Sequence, residues 1–261
     1  MKLHFGHANS FPASIYRKLH QRLGEHGYEV GYVDTIGHDP AYPITDCWPQ
    51  LVDETLAYMD AHYREPVLAV GHSLGGAILF MAAIREPQRF RRLIVLDSPL
   101  LGPRSALVIW LAKRLGLIQR ITPGGTGTLR RRDNWASVES VYDFFARKPV
   151  FNRWDEDCLR DYAQFGTVDN GAGGRCLKFR PAVEHAIYET LPHDAWFQRG
   201  KLTVALDYVV AAQGSAVRPH DLAFMRRHLA ARVVSQPGSH LFPLEHPLAT
   251  ADLIARLAAG G

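Results

Sequence analysis

Val67-Leu68-Ala69-Val70-Gly71-His72-Ser73-Leu74-Gly75-Gly76-Ala77-Ile78-Leu79-Phe80 is the stretch on which the reading of this chain turns. Its first four residues form a short, wholly apolar run, as expected of a strand buried on both faces of a parallel sheet. Its last residues continue as apolar helix to Arg85, with Pro87 closing the element. Between them, Gly71-His72-Ser73-Leu74-Gly75 fits G-x-S-x-G. Five residues with three fixed positions recur by chance. A buried strand before them and a helix after them make the strand–turn–helix of a nucleophile elbow. There the serine sits on a strained turn, so its neighbours must be small. Gly71 and Gly75 supply the missing Cβ atoms, and Gly76 lets the helix lie close to the strand. The turn presents the Ser73 hydroxyl at the carboxyl end of the strand. The Leu74 amide, at the start of the helix, faces any negative charge that develops there.

Outward from the elbow, short β-like runs alternate with helical ones. Strands are predicted at Lys2–Gly6, Tyr28–Asp34, Leu93–Asp97, Leu206–Ala212 and Arg232–Ser235. Helices are predicted at Pro12–His26, Trp48–Tyr63, His220–Leu229 and Pro247–Ala259. This order implies right-handed crossovers and an α/β fold: a mostly parallel sheet with helices on both faces. The rhythm breaks from about residue 100 to residue 200, which reads as mostly helical and rich in aromatics. A core of residues 1–100 and 200–261, interrupted by a helical cap at 101–199, is the expected organisation. Gly-rich tracts at Pro123–Gly127 and Gly171–Gly174 are candidate hinges for it.

A serine nucleophile needs a base, and thirteen histidines are present. Position selects among them. His240, in Pro237-Gly238-Ser239-His240, follows the last predicted strand and precedes the last helix, which puts it on the same sheet edge as Ser73. His246 reads instead as a helix N-terminal residue.

With the Gly-His-Ser-Leu-Gly-Gly elbow, the Pro-Gly-Ser-His segment and this order of strands, the chain resembles the α/β-hydrolase superfamily over its core. The resemblance implies a Ser–His–acid triad, an oxyanion hole and a helical cap over the site. It also implies that the chain opens on what corresponds to the family's third strand. His7-Ala8-Asn9 then resembles the oxyanion loop, with Ala8 in place of the usual glycine, and the amides of Asn9 and Leu74 pair as its donors. In related dehalogenases an asparagine here also donates its side chain. Their nucleophile is an aspartate, whereas a serine stands here. For the acid, one family location is Ala212–Arg218, which holds no carboxylate; the other is Asp97, at the end of the strand after the elbow helix. Asp97 is the chosen acid, with Asp221 and Asp207 as alternatives.

The expected function is a serine hydrolase that cleaves a small or medium carboxylic ester, thioester, lactone or amide through an acyl-enzyme, without cofactor or metal. The alternative is a ligand sensor that keeps the fold. The cap aromatics (Trp110, Trp135, Tyr142, Phe144, Phe145, Trp154, Tyr162, Phe165, Trp196 and Phe197) suggest an apolar pocket, about a third of them facing it. Arg130-Arg131-Arg132 suits a substrate anion or, more simply, a solvated surface. Glu184-His185 and His193-Asp194 lack metal-ligand spacing.

With 261 residues, 47% hydrophobic and 21% charged, the composition is that of a globular chain. The formal net charge of +4 is too small to demand an acidic partner. Cys47, Cys158 and Cys176 are too few and scattered for a disulfide framework, so a reducing, cytoplasmic setting is expected. The apolar run Ser105-ALVIWLA-Lys113 is closed by charges and too short to span a membrane. No groove-reading helix and no basic amphipathic helix stands out. A small molecule, rather than nucleic acid or membrane, is the expected partner.

Overall fold

The computed structural model describes residues 1–122, 125–194 and 201–260, with backbone alone at 125 and 126. The elements in chain order are β1 (Lys2–Gly6), α1 (Arg17–Glu25), β2 (Glu29–Gly31), α2 (Pro49–His62), β3 (Val67–His72), α3 (Leu74–Arg85) and β4 (Phe90–Leu96). There follow α4 (Pro103–Arg114), α5 (Ile118–Ile121), α6 (Val138–Ala146), α7 (Glu156–Phe165), β5 (Thr167–Asp169), β6 (Arg175–Leu177) and α8 (Pro181–Glu189). The chain ends with β7 (Leu206–Ala211), α9 (Pro219–His228), β8 (Arg232–Gln236), α10 (Phe242–Glu245) and α11 (Pro247–Ala259).

Six strands pair in the order β2-β1-β3-β4-β7-β8, and every pair is parallel. Alternation along β3 shows why its sequence is apolar throughout. Leu68 and Val70 join Leu3, Phe5, Ile94 and Leu96 against Leu19 and Leu23 of α1 and Leu253 and Ile254 of α11. Val67 and Ala69 point the other way, packing with Leu93, Val95, Leu51 and Met59 of α2 and Ile78 and Leu79 of α3. A strand with both faces covered has no solvent side to make polar. Each large aliphatic side chain so buried contributes about 1.5–3 kcal/mol.

Several predicted elements shift at their ends. The helix expected from Pro12 begins as a 3-10 turn, Ala13–Tyr16, before α1. The strand expected to reach Asp34 stops at Gly31, because β2 is an edge strand paired with β1 over three residues only. Within the segment between β4 and β7, β5 and β6 form an antiparallel hairpin that no periodicity announced. Gly171 and Gly173 lie in its turn with φ of 76° and 79°. The turn is tied by the Asp169 and Asn170 side chains, which accept from the amides of Gly171, Ala172 and Gly174. Those glycines therefore serve a tight turn inside the hairpin. Pro123 and Gly124 of the other expected hinge lie outside the described residues, as does the expected core boundary at residues 199 and 200.

The chain runs from β1 outward to β2, then back across β1 to β3. The loops after β1 and β3 therefore leave in opposite directions and open a crevice at the carboxyl edge, the topological switch point of an open α/β sheet.

Candidate active site

Ser73 lies at that crevice, between β3 and α3, with φ 52° and ψ −114°. Few non-glycine residues adopt this conformation, and the surroundings hold it there. The Ser73 amide donates to Leu96 O at 3.0 Å, and the Gly75 amide to His7 O at 2.9 Å. A Cβ on Gly75 would stand 2.2 Å from the Gly6 carbonyl carbon, and one on Gly71 2.5 Å from Gly76 Cα. The glycines of the motif are thus required by close backbone approach.

His240 follows β8, and its imidazole reaches across the edge. Its Nε2 lies 3.1 Å from Ser73 Oγ, and its Nδ1 lies 2.7 Å from Asp97 Oδ2. Asp97, just past β4, has φ 45° and is fully buried. Its carboxylate also accepts from the Ala211 amide (2.9 Å), the Ser215 hydroxyl (2.6 Å) and the Ala216 amide (2.8 Å). Burial alone pushes this carboxyl up. The hydrogen bond and charge of His240, with the Ser215 and Ala211 donors, outweigh it and hold the group below its ordinary value. Asp97 is therefore an anion at neutral pH. With an anion at Nδ1, the proton of neutral His240 belongs on Nδ1, leaving Nε2 as an acceptor facing Ser73.

The other two candidate acids sit elsewhere. Asp207, on β7, is buried between Arg92 and Arg232. Asp221 accepts from the Gly102 amide at 2.8 Å and from Ser105 Oγ at 2.7 Å, so it caps the start of α4 rather than serving His240.

Asn9 and Leu74 both border the cavity beside Ser73. Neither backbone amide donates to an acceptor among the described residues, and that of Leu74 is the first of α3, where helix ends leave such donors free. The Asn9 side chain is occupied: Nδ2 donates to Glu184 O at 3.2 Å, and Oδ1 accepts from Ser10 N at 3.1 Å. It ties the loop after β1 to α8.

A buried relay beneath the site went unremarked in the sequence. The Tyr16 hydroxyl lies 2.8 Å from His72 Nδ1, and His72 Nε2 lies 2.8 Å from His240 O. A carbonyl can only accept, so His72 carries its proton on Nε2, and its Nδ1 accepts a hydrogen bond from the Tyr16 hydroxyl. Burial first, then the nearby His240, lowers the His72 pKa to about 3, so the ring is neutral. His72 is one of the two unspecified residues of the motif; its adjacency to Ser73 was the only available signal.

The cavity in front of Ser73 has a volume of about 300 Å³ and is mainly apolar. Trp48, Phe80, Met81, Val108, Ile109, Ile121, Ile187 and Tyr188 are among the residues that line it. None of the described aromatics expected to line it does so. Trp135, Phe144, Phe145, Phe151, Trp154 and Tyr162 pack on one another within the β4–β7 segment, and Trp110 is exposed. Trp196 and Phe197 lie outside the described residues. The arginine triplet is also away from the cavity: Arg131 pairs with Glu184, and Arg132 lies over Trp135 and Phe144.

One group of metal-donor atoms does gather, from distant parts of the sequence. Asp46, Cys47 and His193 bring their ligand atoms within 4.8 Å of one another. Lys113 Nζ stands among them, bonded to Asp46 and 3.2 Å from His193 Nδ1, so an ammonium already holds the place a cation would take.

The fold agrees with comparisons against known proteins. The model of the alpha/beta hydrolase family matches residues 5–253. The chain belongs to that family. Among curated relatives, the Abhydrolase domain-containing protein AFT2-1 of Alternaria alternata is 26% identical over 231 residues, covering 74% of this chain and 82% of its own length. A putative non-heme haloperoxidase of Mycobacterium phage D29 is 27% identical over 144 residues, 49% of this chain and 51% of the phage protein. Among solved structures, a thioesterase domain from the curacin biosynthetic pathway superposes with a TM-score of 0.74 at 18% identity, over 98% of this chain and 90% of that one. E-2-(acetamidomethylene)succinate hydrolase gives 0.74 at 19% identity, over 99% and 91%. At such identities the structural likenesses establish the fold. No helix among the described residues is long and apolar enough to cross a membrane.

Proposed function

We propose that this member of the hydrolase family is a serine hydrolase acting on a small or medium carboxylic ester. The observation that carries the reading is the unbroken line from Ser73 Oγ through His240 to the Asp97 carboxylate, at 3.1 Å and 2.7 Å. His240 Nε2 takes the Ser73 proton as Oγ attacks the carbonyl carbon. Asp97 holds the Nδ1 proton and stabilises the imidazolium that forms. The amides of Asn9 and Leu74 receive the oxyanion, each donor lowering the barrier by about 3 kcal/mol. Collapse expels the alcohol with the proton returned by His240, leaving an ester on Ser73. His240 then deprotonates water, which releases the acid and regenerates the serine. A thioester, lactone or amide passes through the same steps, and the apolar cavity suits an uncharged acyl group. Residues 101–199 act in this scheme as the cap that shields the site.

The test is labelling with a fluorophosphonate probe. Wild-type protein is expected to label, and Ser73→Ala and His240→Ala are expected not to. Native protein that resists the probe would remove the reading; labelling with negligible turnover of every ester tried would favour the ligand-sensor alternative.

A further inference from the structure

The segment after β4 turns its apolar side outward. In α4 the buried positions are small or confined to one side: Ser105, Ala106, Ile109 and Ala112. The opposite side carries the large residues. At 3.6 residues per turn, Trp110, Arg114, Leu107, Leu111, Arg104 and Val108 succeed one another over an arc of about 160°. Leu107 is 55% exposed, Val108 45%, Trp110 40% and Leu111 43%; Leu115, just beyond the helix, reaches 67%. An exposed apolar face of this extent marks a binding surface.

The charge on this face selects the partner. From Ser98 to Arg132 the chain contains no Asp or Glu. Lys113 and Arg131 are engaged with Asp46 and Glu184. Arg104, Arg114, Arg120 and Arg130 are exposed and form no ion pair among the described residues. Arg114 instead lies over the Trp110 ring, 5.3 Å from its centroid. A second copy of the chain docked by two-fold symmetry would set these arginines against one another, while the carboxylates beside α4 and α5, Asp46 and Glu189, are already bonded to Lys113 and Gln119. Leucines and a tryptophan flanked by unpaired arginines match the boundary of an anionic lipid layer, where rings and aliphatic chains enter the acyl region and guanidinium groups meet phosphates.

We propose that α4 and the end of α5 form a docking surface for an anionic lipid interface. The face is continuous with the mouth of the cavity, because Val108 and Ile121 both line the cavity and stand exposed at 45% and 40%. Docking stands on the face alone. Its consequence, that a lipophilic ester passes from lipid to Ser73 without crossing water, rests on the hydrolase reading.

The experiment is co-sedimentation with vesicles of phosphatidylcholine alone and of phosphatidylcholine with phosphatidylglycerol. Wild type is expected to bind the anionic vesicles at least tenfold more strongly. Leu107→Asp with Leu111→Asp, and separately Arg104→Glu with Arg114→Glu, are each expected to weaken that binding at least tenfold. Melting temperature and labelling of Ser73 by a water-soluble probe should not change. The arginine variants keep the test sound should the leucine pair fail to fold. Absent binding to anionic vesicles at low salt, or binding indifferent to both variants, overturns the proposal. So does a stable wild-type dimer that the variants split without any vesicle binding. Vesicle binding without probe labelling would sink the hydrolase reading alone.

Discussion

Replacing Asp97 by Asn changes one atom's bonding role and little else, so it isolates the carboxylate's contribution. The buried group accepts on both oxygens: Ala211 N and Ser215 Oγ bond Oδ1, while Ala216 N and His240 Nδ1 bond Oδ2. An amide offers one acceptor oxygen and two donor hydrogens. If its oxygen stays with Ala211 and Ser215, its NH2 faces His240 Nδ1. The imidazole must then move its proton to Nε2 to accept there. Nε2–H, 3.1 Å from Ser73 Oγ, can no longer take the serine proton. Either rotamer turns the NH2 toward one buried backbone N–H, Ala216 N in the first and Ala211 N in the second, a clash worth about 1–3 kcal/mol. The second keeps the tautomer but leaves the imidazolium without its anionic partner; the first removes the base and sets the larger loss. Loss of the correct tautomer is expected to lower kcat about 10⁴-fold, or about 5.4 kcal/mol of barrier. The assay is turnover of a soluble ester and the second-order rate of fluorophosphonate labelling, with melting temperature as the control. A variant that melts normally and works within tenfold of wild type would refute the assignment of Asp97.

Other outcomes follow from the same structure. His4, His7 and His72 are fully buried and His20 is half-buried; burial drives the pKa values of His4, His20 and His72 down to about 3, and that of His7 to about 4. The unfolded chain protonates them near 6.5, so it binds more protons and stability falls as the pH drops below that value. Each costs about 2 kcal/mol by pH 5, and four together rival a domain's whole stability of about 5–15 kcal/mol. Urea midpoints that stay flat from pH 7 to pH 5 would contradict this. Gly75→Ala is expected to cost more than about 3 kcal/mol or abolish folding, since its Cβ would meet the Gly6 carbonyl carbon at 2.2 Å; soluble expression with an unchanged melt would show the contact to be compliant. Tyr16→Phe leaves His72 Nδ1 buried without its partner and should destabilise by about 1–3 kcal/mol in denaturant titrations. No change would mean that the hydroxyl bond contributes little.

Much of this protein was legible from its linear chemistry because the informative signals are local. A four-residue apolar run, three glycines and a serine specify strand, turn and helix within 20 residues, and period-2 burial on both faces explains why the run is apolar. The order of strands followed from the same signals, and so did the sheet edge on which Ser73 and His240 lie. Asp97 was chosen by resemblance, since nothing local distinguishes it from Asp207 or Asp221. Tertiary structure separated them: Asp207 is bound by two arginines, Asp221 caps α4, and Asp97 faces His240. The aromatic-rich segment shows the opposite limit. Composition supplied rings for a pocket, yet packing turned them on one another and left the cavity to Trp48, Phe80 and residues of α4 and α8.

Sequence alone fixed which residues could react, since side-chain chemistry and the sterics of a tight turn are properties of neighbouring residues. Which groups meet across more than fifty positions was decided by the folded sheet and its crossovers: Ser73 with His240, Tyr16 with His72, Asp46 with His193. The direction in which α4 faces belongs to that second category as well. A helix with apolar residues on most of its turn has no unique inward side until its small residues, Ser105, Ala106 and Ala112, are the ones that fit beneath it.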